Sequence, residues 1–211
     1  MLHIDLLQSI RWRMVMSKDG GVMKKKITLN AGDWIKGGFR ALTKGGPEAI
    51  KVEAIAREME VSKGSFYWHF KDVGALKKAM LEHWAQLATY GTIEEIESKV
   101  GSGRERLFAL VRLATGSQKE QYGGVDIEVA IRGWARFDEN AAQMVKKIEM
   151  ARLNFVGELF EQAGQSKEQS RQNARLLYGA MIGLEQLPGA AGIKVRKDLK
   201  ALLEQLCPMA E

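Results

Sequence analysis

The chain has 211 residues, 45% of them hydrophobic, and a net charge of +6, enough for one large domain or two small ones around a real core. No stretch approaches the ~20 apolar residues that span a bilayer, and the single cysteine, Cys207, has no internal partner, so a reducing, cytoplasmic setting without membrane attachment is expected. Residues 1–90 hold 15 Lys/Arg against 9 Asp/Glu, whereas residues 91–211 hold 17 of each, so a polyanion partner is expected for the first part alone.

In chain order, residues 1–23 form an N-terminal extension. Asp5, Arg11 and Arg13 interrupt its apolar residues, which argues against a signal peptide, and no function is assigned to it. Apolar residues then recur at helical spacing almost throughout, and runs of strict alternation are lacking. Asn30 is the expected N-cap of a first helix carrying Trp34, Ile35, Phe39 and Leu42, which Gly45-Gly46-Pro47 ends. Helices follow over about 51–59 and 63–70, then from Asp72 to a stop before Gly91. Segment 92–100 reads as a short helix or a loop. Glycine, proline and polar breaks, among them Gly123-Gly124 and Pro188–Gly192, delimit further helices of about 103–116, 124–136, 140–163, 167–187 and 194–206. The fold class is therefore all-α: a three-helix unit over 24–71, joined to a helical bundle over 72–211.

The stretch Val52–Phe70 carries the functional signal. Val52, Ile55, Ala56 and Met59 share one helix face, Val61 fills a turn, and Ser62 can cap the next helix. Phe66 and Phe70 sit four apart and anchor that short helix on the core. Lys63, Gly64, Ser65, Tyr67, Trp68 and His69 are then left outward. That donor-rich, positively biased set suits a major groove: Lys63 and Ser65 to base edges, Tyr67 and His69 to phosphates, and Trp68 to sugar or a thymine methyl. On periodicity alone, an ordinary helical hairpin with an aromatic core fits the same residues.

The run Val61-Ser-Lys-Gly-Ser-Phe-Tyr-Trp-His-Phe70 resembles the recognition-helix signature of the TetR family of bacterial regulators, with Ile55-Ala56 and Leu76 in register. The resemblance is specific over about 27–90 and architectural beyond. It implies a homodimer on a palindromic double-stranded operator, with repression usually relieved by a small effector. Three positions depart from the family pattern. Many members have threonine where Lys51 stands, and Lys51 can still meet phosphate. The turn commonly has glycine where Glu60 stands. Many have lysine where Val73 stands, a contact that Lys71 or Lys77 can replace.

In the bundle, Leu177, Ala180, Met181, Leu184 and Leu187 lie at helical spacing, Gly179 and Gly183 are four apart, and Val195, Leu199, Leu202, Leu203 and Leu206 form a last stripe. Two such helices per copy would make a four-helix dimer interface; alternatively, both stripes face the chain's own core. Candidate effector contacts are Trp84, Leu87, Phe108, Trp134 and Phe155, together with Leu113, Phe137 and Met144, which points to an apolar or aromatic molecule. Glu128 and Arg132 are candidate polar anchors, or else an exposed i,i+4 pair worth only ~0.3–0.5 kcal/mol. Three scattered histidines and one cysteine offer no metal-ligand spacing, and no catalytic constellation or cofactor motif occurs, so enzyme function is not expected. The alternative function is a DNA-binding activator or partner-controlled regulator without a small-molecule ligand.

Overall fold

A computed structural model of the protein describes residues 29–116, 126–187 and 192–209. The N-terminal extension, Gly123-Gly124 and most of the Pro188–Gly192 break lie outside the described residues. Among the described residues the chain is helical, with no strand. α1 (Ala31–Gly45) opens with a capping box in which Asn30 and Asp33 satisfy each other's backbone N–H groups. α2 (Val52–Glu58) leads into a tight turn, then a single-file 3₁₀ segment at Lys63–Trp68. That segment was expected to be an α-helix over 63–70. Ser62 donates no side-chain cap to it; the turn is closed instead by the Ser65 N–H on the Ser62 carbonyl at 3.0 Å. α3 (Val73–Ala85) is capped by Asp72, whose carboxylate accepts from the Ala75 N–H at 2.7 Å.

The expected stop before Gly91 does not occur. The helix passes through a wider π turn at Gln86–Tyr90 and continues as α4 (Gly91–Glu97). A Cβ at position 91 would lie 3.2 Å from the Gln86 carbonyl. The glycine therefore accommodates the π turn rather than ending the helix. α5 (Gly103–Ala114), α6 (Ile127–Ala135), α7 (Glu139–Gln162), α8 (Lys167–Glu185) and α9 (Val195–Leu206) complete the bundle.

Two apolar clusters hold these elements. The first runs from Trp34, Phe39 and Leu42 through Ile55, Phe66, Leu76 and Met80 to Ile131, Trp134 and Ile148. It fastens the N-terminal unit directly onto α6 and α7. Gly37 and Gly38 serve close packing there: added Cβ atoms would meet Ile55 at 2.7 Å and Met80 at 2.5 Å. The second cluster joins Ile96, Leu107, Leu159, Phe160, Leu177 and Leu199 across α4, α5, α7, α8 and α9. Gly103 lets α5 lie against the α7 backbone, since a Cβ would come within 2.3 Å of the Leu159 carbonyl oxygen.

The two stripes read as dimer faces divide between core and surface. Leu177, Leu199 and Leu203 are buried in the second cluster, with Ala180, Met181, Leu184, Val195, Leu202 and Leu206 packed against it. The α8 face that remains outward carries Leu176, Gly179 and Gly183, with Leu187 exposed just past the helix end.

Candidate DNA-binding surface and effector cavity

The Lys63–Trp68 segment is held from below by aromatic packing. Phe66 is fully buried, edge-on to Trp34 at 5.2 Å between ring centroids and 5.6 Å from Phe70. Anchoring one edge forces the other outward. Tyr67 and Trp68 are 55% and 87% exposed, and Ser62, Lys63, Gly64 and His69 are also exposed, with Ser65 half-buried. Large aromatics left in water cost free energy that a partner surface can recover. Lys51 and Lys71 flank the segment and are exposed, Lys71 lying 3.9 Å from Asp72.

Three of the cationic or polar candidates are engaged inside the protein. The Lys63 ammonium pairs with the Glu53 carboxylate of α2, which raises the lysine's proton affinity and lowers that of the glutamate. The His69 ring Nε2 lies 2.9 Å from the Leu29 carbonyl, tying the segment to the residue before α1. Lys77 is half-buried with its Nζ 5.7 Å from the centre of the Trp134 ring. It therefore points toward α6 rather than toward a free DNA face. Glu60 has φ of +55°. The turn thus has the left-handed residue that the family's glycine would supply, and it holds glutamate there at a cost on the order of 1 kcal/mol.

A cavity of about 430 Å³ opens in the bundle, largely apolar, between the π turn and α5 to α8. Of the expected effector contacts, Glu128 and Phe155 line it, as does Leu113. Trp84 is buried behind the wall, and its indole N–H donates to Glu128 Oε1 at 2.9 Å. The other candidates do not line the cavity. Leu87 is 41% exposed and Phe137 is 88% exposed. Phe108 is stacked under Arg104, and Trp134 and Met144 belong to the first cluster. These residues were chosen for aromatic or apolar type, and helix phase sends them elsewhere.

Glu128 and Arg132 are not an exposed pair. Their side chains are 16% and 19% accessible, and Arg132 stands behind the cavity wall, paired with Glu149 and bonded to the Tyr178 hydroxyl. The residue that organises this site, Arg152 of α7, was missed. Its guanidinium grips Glu128 through two hydrogen bonds of 2.9 and 3.1 Å. It also donates to the Thr89 hydroxyl at 2.8 Å, to the Ala88 carbonyl at 3.2 Å and to the Tyr178 hydroxyl at 3.3 Å. Thr89 and Ala88 belong to the π turn, whose widened backbone presents that carbonyl. Burial pushes the Glu128 carboxyl up. The Arg152 charge and hydrogen bonds, with Trp84 and Arg132, outweigh it and hold the carboxyl below its usual range. A lone arginine on a periodic helix gives no sequence signal of this kind.

Among the described residues there is no cluster of His, Cys, Asp or Glu able to hold a metal ion, and no helix is long and apolar enough to cross a membrane.

A buried aromatic anchor under an exposed, positively biased edge, on a three-helix unit fixed to a bundle, is the arrangement of a helix-turn-helix unit. Residues 35–80 match the family model described as bacterial regulatory proteins, tetR family. No curated protein sequence matches the chain. Its fold is shared with solved structures of low identity. A transcriptional regulator from Saccharomonospora viridis, solved in complex with choline, is 16% identical with a TM-score of 0.70, covering 82% of this chain and 95% of its own. A TetR-family regulator from Rhodococcus sp. is 20% identical with a TM-score of 0.66, covering 84% and 98%. E. coli NemR in its reduced form is 17% identical with a TM-score of 0.68, covering 86% and 99%.

Proposed function

We propose that the chain works in the cytoplasm as a homodimeric repressor that leaves a palindromic operator when a small, apolar or aromatic molecule fills the bundle cavity. In this reading residues 24–71 bind DNA, residues 72–211 bind the effector and pair the copies, and no cofactor or catalysis is involved. The DNA contacts are Lys51, Ser62, Lys63, Gly64, Ser65, Tyr67, Trp68, His69 and Lys71. Lys77 would have to leave Trp134 to join them. The effector contacts include Glu128 and Phe155.

The observation that carries this reading is the Arg152 contact with the π turn. The cavity's polar end grips, at Ala88 and Thr89, the same continuous helix whose start at Asp72 follows the recognition segment. A molecule that fits the cavity better in one position of that helix shifts the population toward it, and only such differential affinity moves the recognition segments. Dimerisation is supported by the outward α8 face. Leu176 and Leu187 are 49% and 53% exposed, and added Cβ atoms at Gly179 and Gly183 would meet nothing within 4 Å, leaving room for a second backbone. Reading a palindrome also needs two segments held about 34–36 Å apart.

The test is a mobility-shift titration on duplex from the region upstream of the protein's own gene. The expected result is a specific complex with two copies of the chain, released by apolar compounds that also raise thermal stability. A specific complex indifferent to every stabilising compound would reject the effector half of the proposal.

A further inference from the structure

We propose that the cavity takes an uncharged, mainly apolar molecule bearing one hydrogen-bond-accepting oxygen, and that the Tyr178 hydroxyl donates to it. This rests on the cavity being an effector site and specifies the chemistry of its ligand.

Hydrogen-bonding capacity at the polar end of the cavity is almost fully used. Arg152 has Nε, Nη1 and Nη2 all engaged, and both Glu128 oxygens are occupied by Arg152, with Trp84 on one and Arg132 3.6 Å from the other. Arg152 therefore has no open N–H to offer, and Glu128 is already shared among Arg152, Trp84 and Arg132. Tyr178 lines the same end and is only 7% exposed. Its oxygen accepts from Arg132 Nη2 at 2.9 Å and from Arg152 Nη1 at 3.3 Å. A phenol has one proton to donate and two lone pairs. Both lone pairs face guanidinium groups, so the proton is what remains, and none of the hydrogen bonds among the described residues takes it. The neighbouring Thr89 hydroxyl is in the same position: its oxygen accepts from Arg152 and it lines the cavity. A buried donor is costly to leave unpaired. Two adjacent donors ask for an acceptor on the ligand, such as a ketone or ester carbonyl.

Charge decides between neutral and ionic ligands. Arg132 and Arg152 stand against Glu128 and Glu149, two of each sign in mutual contact. An ionic head brought here would lose its hydration with no counter-charge left to replace it. Most of the rest of the wall, including Ile93, Leu110, Phe155 and Met181, is apolar. The volume lies within the range of small-molecule sites.

The experiment compares cyclohexyl phenyl ketone with benzylcyclohexane, which share a skeleton and differ in a carbonyl against a methylene. Choline and benzoate serve as the cationic and anionic arms. Affinities are read from ligand-dependent thermal shifts of the full chain, wild type and Tyr178→Phe. The expected result is that the ketone binds the wild type about tenfold more tightly than the hydrocarbon, and that this ratio falls several-fold in Tyr178→Phe. Because each ratio is taken within one protein, any loss of stability in the variant cancels. Equal binding of ketone and hydrocarbon by the wild type would overturn this inference and leave the effector site standing. A ratio unchanged in Tyr178→Phe would remove Tyr178 from the assignment. Stabilisation by choline or benzoate but by neither uncharged probe would overturn the claim of neutrality. No stabilisation by any of the four would remove the effector site itself.

Discussion

Replacing Glu128 by glutamine should be the most damaging near-isosteric change in the bundle. The carboxylate is 16% accessible and Arg152 11%. The substitution keeps an oxygen for the Trp84 indole but removes the charge and turns an amide N–H₂ toward the guanidinium. Breaking a buried pair by removing one partner costs about 3–5 kcal/mol, because the remaining ion stays desolvated. For a chain of this size that corresponds to a fall in Tm of about 6–20 °C. Calorimetry or thermal circular dichroism at neutral pH measures it. The pair also sets a pH dependence. The folded-state pKa of Glu128 lies below its usual value, so its contribution is fully present above the unfolded pKa of 4.5 and is lost as pH falls through the folded value. Glu128→Gln should accordingly lose less stability than the wild type on going from pH 6 to acid. The double variant Glu128→Leu, Arg152→Met should be more stable than Glu128→Gln, since it leaves neither of those two charges behind. A loss below about 1 kcal/mol for Glu128→Gln would refute the reasoning and mean that water screens the pair as it does at a surface.

Other substitutions separate packing, strain and recognition. Gly103→Ala should cost about 2–3 kcal/mol, because its Cβ would strike the α7 backbone at Leu159 and Ala163. Gly133→Ala, on an exposed helical position with open space around it, should instead gain up to about 1 kcal/mol. Chemical denaturation of the two variants checks the contrast. Glu60→Gly should raise stability by about 1 kcal/mol by relieving the φ of +55°, seen as a rise in Tm of about 2–4 °C. In fluorescence anisotropy with duplex DNA, Lys63→Ala should weaken binding, whereas Glu53→Gln should strengthen it several-fold by releasing Lys63 and removing a negative charge beside the groove-facing edge. Equal effects of the same sign would show that the Lys63–Glu53 pair does not face DNA.

What was legible in the sequence was what period and local chemistry encode. Asn30 was readable as a cap, Phe66 and Phe70 as one face, and the helix succession of the bundle as spacing between breaks. The ten-residue run Val61–Phe70 carried the family resemblance. Illegible were the features that depend on which distant helices meet. Gly91 reads as a stop because glycine is a poor helix former, yet here it sits in a π turn whose Ala88 carbonyl is satisfied by an arginine 64 positions later. Aromatic type misassigned Phe137 and Trp134, one to the cavity instead of to water and the other instead of to the contact between the two units. Arg152 and Tyr178 carried no signal because their roles come from convergence across α6, α7, α8 and the π turn. The dimer stripes were half legible: periodicity finds apolar faces but does not say whether the chain's own core or a second copy covers them.

The proposed function requires that the exposed edge from Lys51 to Lys71 bind duplex DNA through two copies of the chain. Its most direct test is the affinity for upstream duplex measured across a series of salt concentrations. With Lys51, Lys63 and Lys71 from each copy meeting the polyanion, the logarithm of affinity should fall with that of salt with a slope of about −5. An affinity that stays flat with salt, or a complex holding a single copy, would contradict it.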